Sequence, residues 1–312
     1  MSEVKKIATR ESYGQTLVEL GAENKDIVVL DADLAGATKT AMFKKAYPDR
    51  FFDCGIAEGN MMSIAGGLAA CGKIPFASSF AMFATGRAFE QVRNTIGYPH
   101  LNVKICASHA GITVGEDGAS HQCLEDLALM RTIPGMVVMN PADDVEARAA
   151  VRAAATYEGP VYIRLGRSAV PVINDPATYK FEWGKGIQIK EGSDITIIAT
   201  GLMVDSAIKA AEKLEADGIK ADVIDMHTIK PIDEDIILKS AKKTGKVFTV
   251  EEHSVIGGLG SAVCEVLAEK YPCKVKRIGI YDVFGESGSA ADLLKAYKLD
   301  GDGVYEQIKA DL

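Results

Sequence analysis

Short β-branched runs separated by helical stretches constrain this chain more than any other feature. IVVLDAD from residue 27, VKICASH from 103, MVVMNP from 136 and VYIRL from 161 are almost continuously apolar. Such runs read as strands buried on both faces. EGNMMSIAGGLAACG, ATGRAFEQVRNTIGY and QCLEDLALMRTI lie between them and read as helices. Strand-helix alternation of this kind predicts a parallel sheet covered on both sides, an α/β fold.

The alternation breaks at about 170 to 192, where VPVINDPATYKFEWGKGIQIKEGSD collects Pro, Gly, Asn and Asp. A first domain is therefore expected over 1–172, a linker over 173–191 and a second, smaller domain over 192–312. The second domain repeats the pattern with DITIIATG, a helix from Met203 to about Gly218, KADVIDMHT, a helix after Pro231, VFTVEEH, a helix from about Gly258, and VKRIGI. Each domain is expected to be a mostly parallel sheet flanked by helices. At 312 residues, 47% hydrophobic and 25% charged, the chain has material for two cores.

No apolar run approaches the roughly 18 residues of a membrane span. The opening MSEVKKIATRES has no apolar stretch of the kind a secretory signal needs, so a cytoplasmic location is expected. A formal charge of −8 with dispersed Lys and Arg argues against nucleic acid as a partner. Small molecules and proteins remain. Cysteines at 54, 71, 106, 123, 264 and 273 form no CxxC pair and are expected as reduced thiols, mostly in the core.

Four places carry candidate chemistry. In FFDCGIAEGN, Glu58 opens a helix at the carboxyl end of a strand, where open α/β sheets place ligands; read alone, it is equally a first-turn acid favoured by the helix dipole. In SFAMF, Phe80 and Phe83 can wall a flat ring or simply pack a core. SHAGITVGEDGASHQ, residues 108–122, gathers His109, Asp117 and His121 among glycines after a buried strand. It matches neither a phosphate-binding GxxxxGK[ST] loop nor a GxGxxG fingerprint, and reads as a loop that positions side chains. Arg10 in IATRES and Arg167 in RLGRS suit an anion, or a surface ion pair.

GIAEGN, SFAMF, SHAGITVGEDGASHQ, the following PADD and RLGRS together resemble, in order and spacing, the pyrimidine domain of transketolases over about 6–172. IDMHTIKPID, TVEEHSVIGGLGSAVCEVL and IYDVFGESG resemble the C-terminal domain that transketolases share with other thiamine-dependent enzymes. The resemblance implies a transferase that moves a two-carbon ketol unit from a ketose phosphate to an aldose phosphate, as in the pentose phosphate pathway. Glu58 would bond the N1′ nitrogen of thiamine diphosphate and drive the cofactor's amine to its imino form. Phe80 and Phe83 would wall the aminopyrimidine, with Asp33 of DADL nearby. His109, Asp117 and His121 would face the sugar, the two histidines assisting proton transfer near neutral pH. Arg10 and Arg167 would grip the sugar phosphate.

In the family, a GDG motif followed by Asn holds the diphosphate and its Mg2+ (or Ca2+) in a separate domain, and neither is found here. A partner chain, the N-terminal half of a split transketolase, is therefore expected to bring them, with no metal held by this chain. Self-association around the shared site would give a heterotetramer, and the chain alone should be inactive. Ala37 stands where the family commonly has a phosphate-binding Ser, which leaves that contact to the arginines or to Thr38. A deoxyxylulose-phosphate synthase, the β chain of a 2-oxo acid dehydrogenase and a non-catalytic regulatory subunit are the alternatives.

Overall fold

A computed structural model describes residues 5–312. The first part contains strands β1 (Lys6–Ala8), β2 (Ile27–Asp31), β3 (Phe51–Asp53), β4 (Ile74–Ser78), β5 (Lys104–Ala107), β6 (Val137–Met139), β7 (Val161–Arg164) and β8 (Ala169–Pro171). The second contains β9 (Ile187–Lys190), β10 (Ile195–Ala199), β11 (Ala221–Asp225), β12 (Thr228–Lys230), β13 (Lys246–Ser254) and β14 (Lys274–Ile280). Two main sheets result, ordered β12-β6-β7-β5-β4-β2-β3 and β14-β13-β10-β11-β9. Both are parallel apart from one antiparallel edge strand each, β12 and β9. The small β1-β8 ribbon stands apart from them. Every residue of β2, β5, β6 and β7 is buried, as their continuous apolar runs require.

Several elements differ from the sequence expectation. β9 lies inside the stretch expected as a linker, where Gln188 and Ile187 align with Ile224 and Asp225 of β11. The second sheet therefore starts before residue 192. KADVIDMHT is not one strand. Its first half is β11, whereas Thr228–Lys230 crosses to the first sheet and pairs with β6, and the Asn140 N–H donates to the His227 carbonyl at 2.8 Å. β4 is not among the apolar runs read as strands; it carries Pro75 near its start, and its pairing with β5 begins only at Phe76. Cys106 and Cys123 alone are buried; Cys54, Cys264 and Cys273 are half-buried and Cys71 is exposed, so most of the thiols lie outside the core.

ATGRAFEQVR does not form an ordinary helix. Ala88 N–H bonds to the Phe83 carbonyl and Tyr98 N–H to that of Arg93, five residues back in each case. These wide turns, Met82–Arg87 and Val92–Gly97, flank a short α-helical segment, Phe89–Gln91. Wide turns of this type are rare and concentrate at functional sites. One apolar core runs through both domains, joining Leu30, Ala107 and Val138 of the first to Ile198, Ile224 and Met226 of the second. Among the described residues no helix is long and apolar enough to cross a membrane.

Candidate active site

Glu58 is the first residue of the helix Glu58–Ala70, which follows β3 after a short loop. Its side chain is 1% exposed. Arg87 answers the buried charge: its Nη1 donates to Glu58 Oε2 at 2.9 Å, and its guanidinium carbon lies 4.5 Å from the centroid of the Phe83 ring. The wide turn Met82–Arg87 carries both Phe83 and Arg87, so one local device delivers the aromatic face and the cation. Arg87 had no role in the sequence reading, although it stands within the GRAFEQVR stretch singled out there.

Phe80 and Phe83 stack at 6.0 Å between centroids. Phe80 lies flat on His109 at 3.8 Å, and Phe83 meets His121 edge-on at 5.3 Å. The contact arises because Phe80 bridges to Ser108, which extends the β4-β5 pairing beyond the strand ends. The expected ring wall and the expected sugar loop thus form one surface. His109 holds a left-handed φ of 58°, its Nδ1 sits 2.9 Å from Ser108 Oγ, and its Nε2 lies 3.4 Å from Arg10 Nη1. Burial, and then the charges of Arg10 and Arg167, push its pKa down to about 3. His109 is therefore a neutral imidazole at physiological pH. Its surroundings thus differ from those of an imidazole that titrates near neutrality, and in them the ring can donate or accept a hydrogen bond without carrying a charge. His121 is half-buried, with Nδ1 2.9 Å from Ser120 Oγ.

Arg10, in the first turn of the helix Thr9–Glu23, donates to the Ala37 carbonyl at 2.7 Å. Burial and then the nearby Arg167 lower its pKa. Two guanidiniums held that close favour an anion between them. Arg167 is committed to the substrate-side loop, donating to the Val114 carbonyl and, at 2.8 Å, to Glu116 Oε2. Asp33 and Asp117 sit exposed on loop tips. Asp33 has a φ of 61° and its N–H donates to Asp53; among the described residues neither side chain makes a hydrogen bond. Thr38 does not serve a phosphate here. It is fully buried and its hydroxyl donates to Asp31 Oδ2 at 2.6 Å, as Thr40 does at 2.8 Å, so Asp31 braces the loop from within.

Within the 108–122 loop, Ala110–Gly115 is buried beneath the second domain. Glu252 of β13 accepts from the Thr113 N–H at 2.8 Å and from its hydroxyl at 2.7 Å. A side chain on Gly111, where φ is 78°, would collide with that carboxylate. Gln122 donates to the Ile112 carbonyl at 3.1 Å and to that of Glu286, in the second domain, at 2.9 Å. Beneath the loop, Arg164 Nε donates to Asp126 Oδ2 at 2.7 Å, and Nη2 to the Glu252 carbonyl at 2.8 Å. Burial opposes the Arg164 charge, but Asp126 and Glu252 outweigh it and raise its pKa. Only the EEH of VFTVEEH hinted at this layer, and it read as an ordinary buried strand. Among the described residues no group of three or more His, Cys, Asp or Glu is placed to hold a metal ion.

Two mostly parallel sheets lie in tandem, with a buried helix-start carboxylate beside a paired-aromatic wall. Residues 5–172 match the pyrimidine binding domain of transketolase and residues 184–304 its C-terminal domain. A protein described as a putative transketolase C-terminal section, from Methanocaldococcus jannaschii, is 54% identical over 97% of this chain and 96% of its own length. A 6-deoxy-6-sulfo-D-fructose transketolase subunit from a Clostridium species is 46% identical over 92% of this chain and 88% of its own. Human transketolase is 39% identical over 97% of this chain but only 49% of its own length. A split-gene transketolase solved as an inactive β4 tetramer superposes with a TM-score of 0.91, at 57% identity, over 97% of this chain and 98% of the other. The chain belongs to the transketolase family.

Proposed function

We propose that this chain is the cofactor-activating and substrate-binding half of a split transketolase, completed by a partner chain that binds the diphosphate and its metal. The observation that carries the reading is the pairing of buried Glu58 with a guanidinium that lies over the Phe83 ring. A site that accepts a planar nitrogen group against an aromatic face, edge-on to a carboxylate, fits an aminopyrimidine ring. Thiamine diphosphate, when bound, would supply the nucleophilic carbon that takes up a two-carbon ketol unit from a ketose phosphate for delivery to an aldose phosphate.

The chain's own residues then have distinct tasks. Glu58, held out of water, would hydrogen-bond the ring nitrogen and fix its proton there. Phe83, with Phe80 behind it, supplies a flat wall that excludes solvent. Neutral His109, clamped between Phe80, Ser108 and Arg10, orients a sugar oxygen by hydrogen bonding. His121, on the more open side of the aromatics, is the group placed to move a proton. Arg10 and Arg167 hold the sugar phosphate, and Asp117 at the loop tip reads a hydroxyl. Two relatives covered almost entirely by this chain support a divided enzyme, since one is described as a transketolase C-terminal section and the other as a split-gene transketolase.

The test is to mix this chain with a GDG-bearing half and to assay ketol transfer from xylulose 5-phosphate with thiamine diphosphate and magnesium. Activity is expected only from the mixture, and it should fall by at least about a hundredfold with Glu58→Ala. Full activity from the chain alone would overturn the split reading. Unchanged activity of Glu58→Ala in the mixture would remove Glu58 from its role.

A further inference from the structure

The Glu58–Arg87 pair has a feature that an ordinary ion pair lacks. A guanidinium is planar, stacks on aromatic rings by its face and donates from its edge. Arg87 meets both groups at once, its guanidinium carbon over the Phe83 ring at 4.5 Å from the centroid and its Nη1 2.9 Å from the Glu58 carboxylate. An aminopyrimidine against the same wall and the same carboxylate needs the same face and the same edge, so the two groups compete for one slot. We infer that Arg87 is a built-in stand-in for the cofactor ring, which occupies the ring slot in the cofactor-free chain and must swing out before the cofactor can enter. This rests on the site assignment proposed above.

The surroundings suit such a latch. Glu58 is 1% exposed, and a carboxylate buried that deeply is unfavourable without a partner. Arg87 satisfies it from a side chain that is itself 52% exposed, so it has solvent to move into. Among the described residues Glu58 is its one hydrogen-bond partner, so a single contact has to break. Met82 packs over Gly86, immediately before Arg87, and the wide turn leaves Arg87 on the same wall as Phe83.

The experiment compares wild type, Arg87→Ala and Arg87→Lys, each assembled with a GDG-bearing half, by calorimetric titration with thiamine diphosphate and magnesium. Lysine keeps the charge but cannot stack as a plane, which makes it the variant least disturbing to folding. Both variants are expected to bind the cofactor more tightly: Arg87→Ala by roughly tenfold, because no charge-assisted contact has to be broken first, and Arg87→Lys by less, because the charge remains but no plane covers the Phe83 ring. On the free chain, the latch predicts that 4-aminopyrimidine raises the melting temperature of Arg87→Ala and not that of wild type. Binding that depends on Glu58 in wild type but is equal or weaker in both variants overturns the latch alone. No binding to the wild-type assembly, or binding that Glu58→Ala leaves unchanged, overturns the site assignment and the latch together.

Discussion

Glu252 of the second domain accepts both the backbone N–H and the hydroxyl of Thr113 in the first, at 2.8 and 2.7 Å. All of these groups are buried, so the contact ties the 108–122 loop to a strand 139 residues away in sequence. Glu252→Ala would leave two buried donors unpaired, at about 1–3 kcal/mol. The expected outcome is a lower urea midpoint, together with a higher KM in the assembled enzyme as the loop loses its brace. Glu252→Gln keeps an oxygen for Thr113 and should lose much less. Equal loss in both variants would mean that the charge, and not the accepted hydrogen bonds, matters.

The same carboxyl makes stability depend on pH. Burial, opposed by Arg164 and by the Thr113 bonds, raises the Glu252 pKa from 4.5 to about 7. A folded state that holds its proton more tightly than the unfolded chain loses stability as pH rises through the window between those values. From about pH 4.5 to 7 the Glu252 contribution therefore falls, and above 7 it stays at its lower level. Unfolding free energies at pH 5 and pH 7.5 should accordingly differ less in Glu252→Gln than in wild type. An identical difference would show that Glu252 does not titrate in that range.

His109 works in the opposite sense. Its folded pKa of about 3 lies below the ordinary 6.5, so as pH falls from 6.5 to 3 the unfolded chain takes up a proton that the folded chain refuses. Stability is lost across that window, and His109→Asn, which cannot be protonated there, should lose less. The same neutrality predicts that no ionisation of the activity profile between pH 5 and 8 belongs to His109. An asparagine variant that lowers kcat/KM while keeping the profile's shape is the expected result; disappearance of an acidic limb would contradict it.

The sequence made legible what local pattern encodes. β2, β5, β6 and β7 follow from apolar runs, and Glu58, the two phenylalanines, both histidines and Arg10 stand where one sheet end collects them. The rest depends on pairings across long separations. Arg87 meets Glu58 only because the segment after β4 is wound in wide turns, and nothing in GRAFEQVR announces a five-residue spacing. β12 reads as the tail of β11 until its place beside β6 in the other sheet is known. Thr38 looked like a free hydroxyl near Ala37, yet Asp31 turns it inward. The neutrality of His109 was hidden for a similar reason, since its causes are burial and two arginines placed 99 and 58 positions away in the chain.

Arg167 is neutralised by the loop it would share with the substrate, because Glu116 meets its guanidinium at 2.8 Å. A sugar phosphate arriving between Arg10 and Arg167 must compete with that carboxylate. Glu116→Gln should thus lower KM for a phosphorylated donor by a few-fold in the assembled enzyme, a modest change because the pair is solvent-exposed. Arg167→Ala should raise the same KM roughly tenfold or more, the scale of a lost charge-assisted phosphate contact. An unphosphorylated donor such as hydroxypyruvate should feel neither change strongly. The informative quantity is the ratio of kcat/KM for the two donors: if Arg167→Ala shifts both equally, Arg167 shapes the loop and does not hold the phosphate.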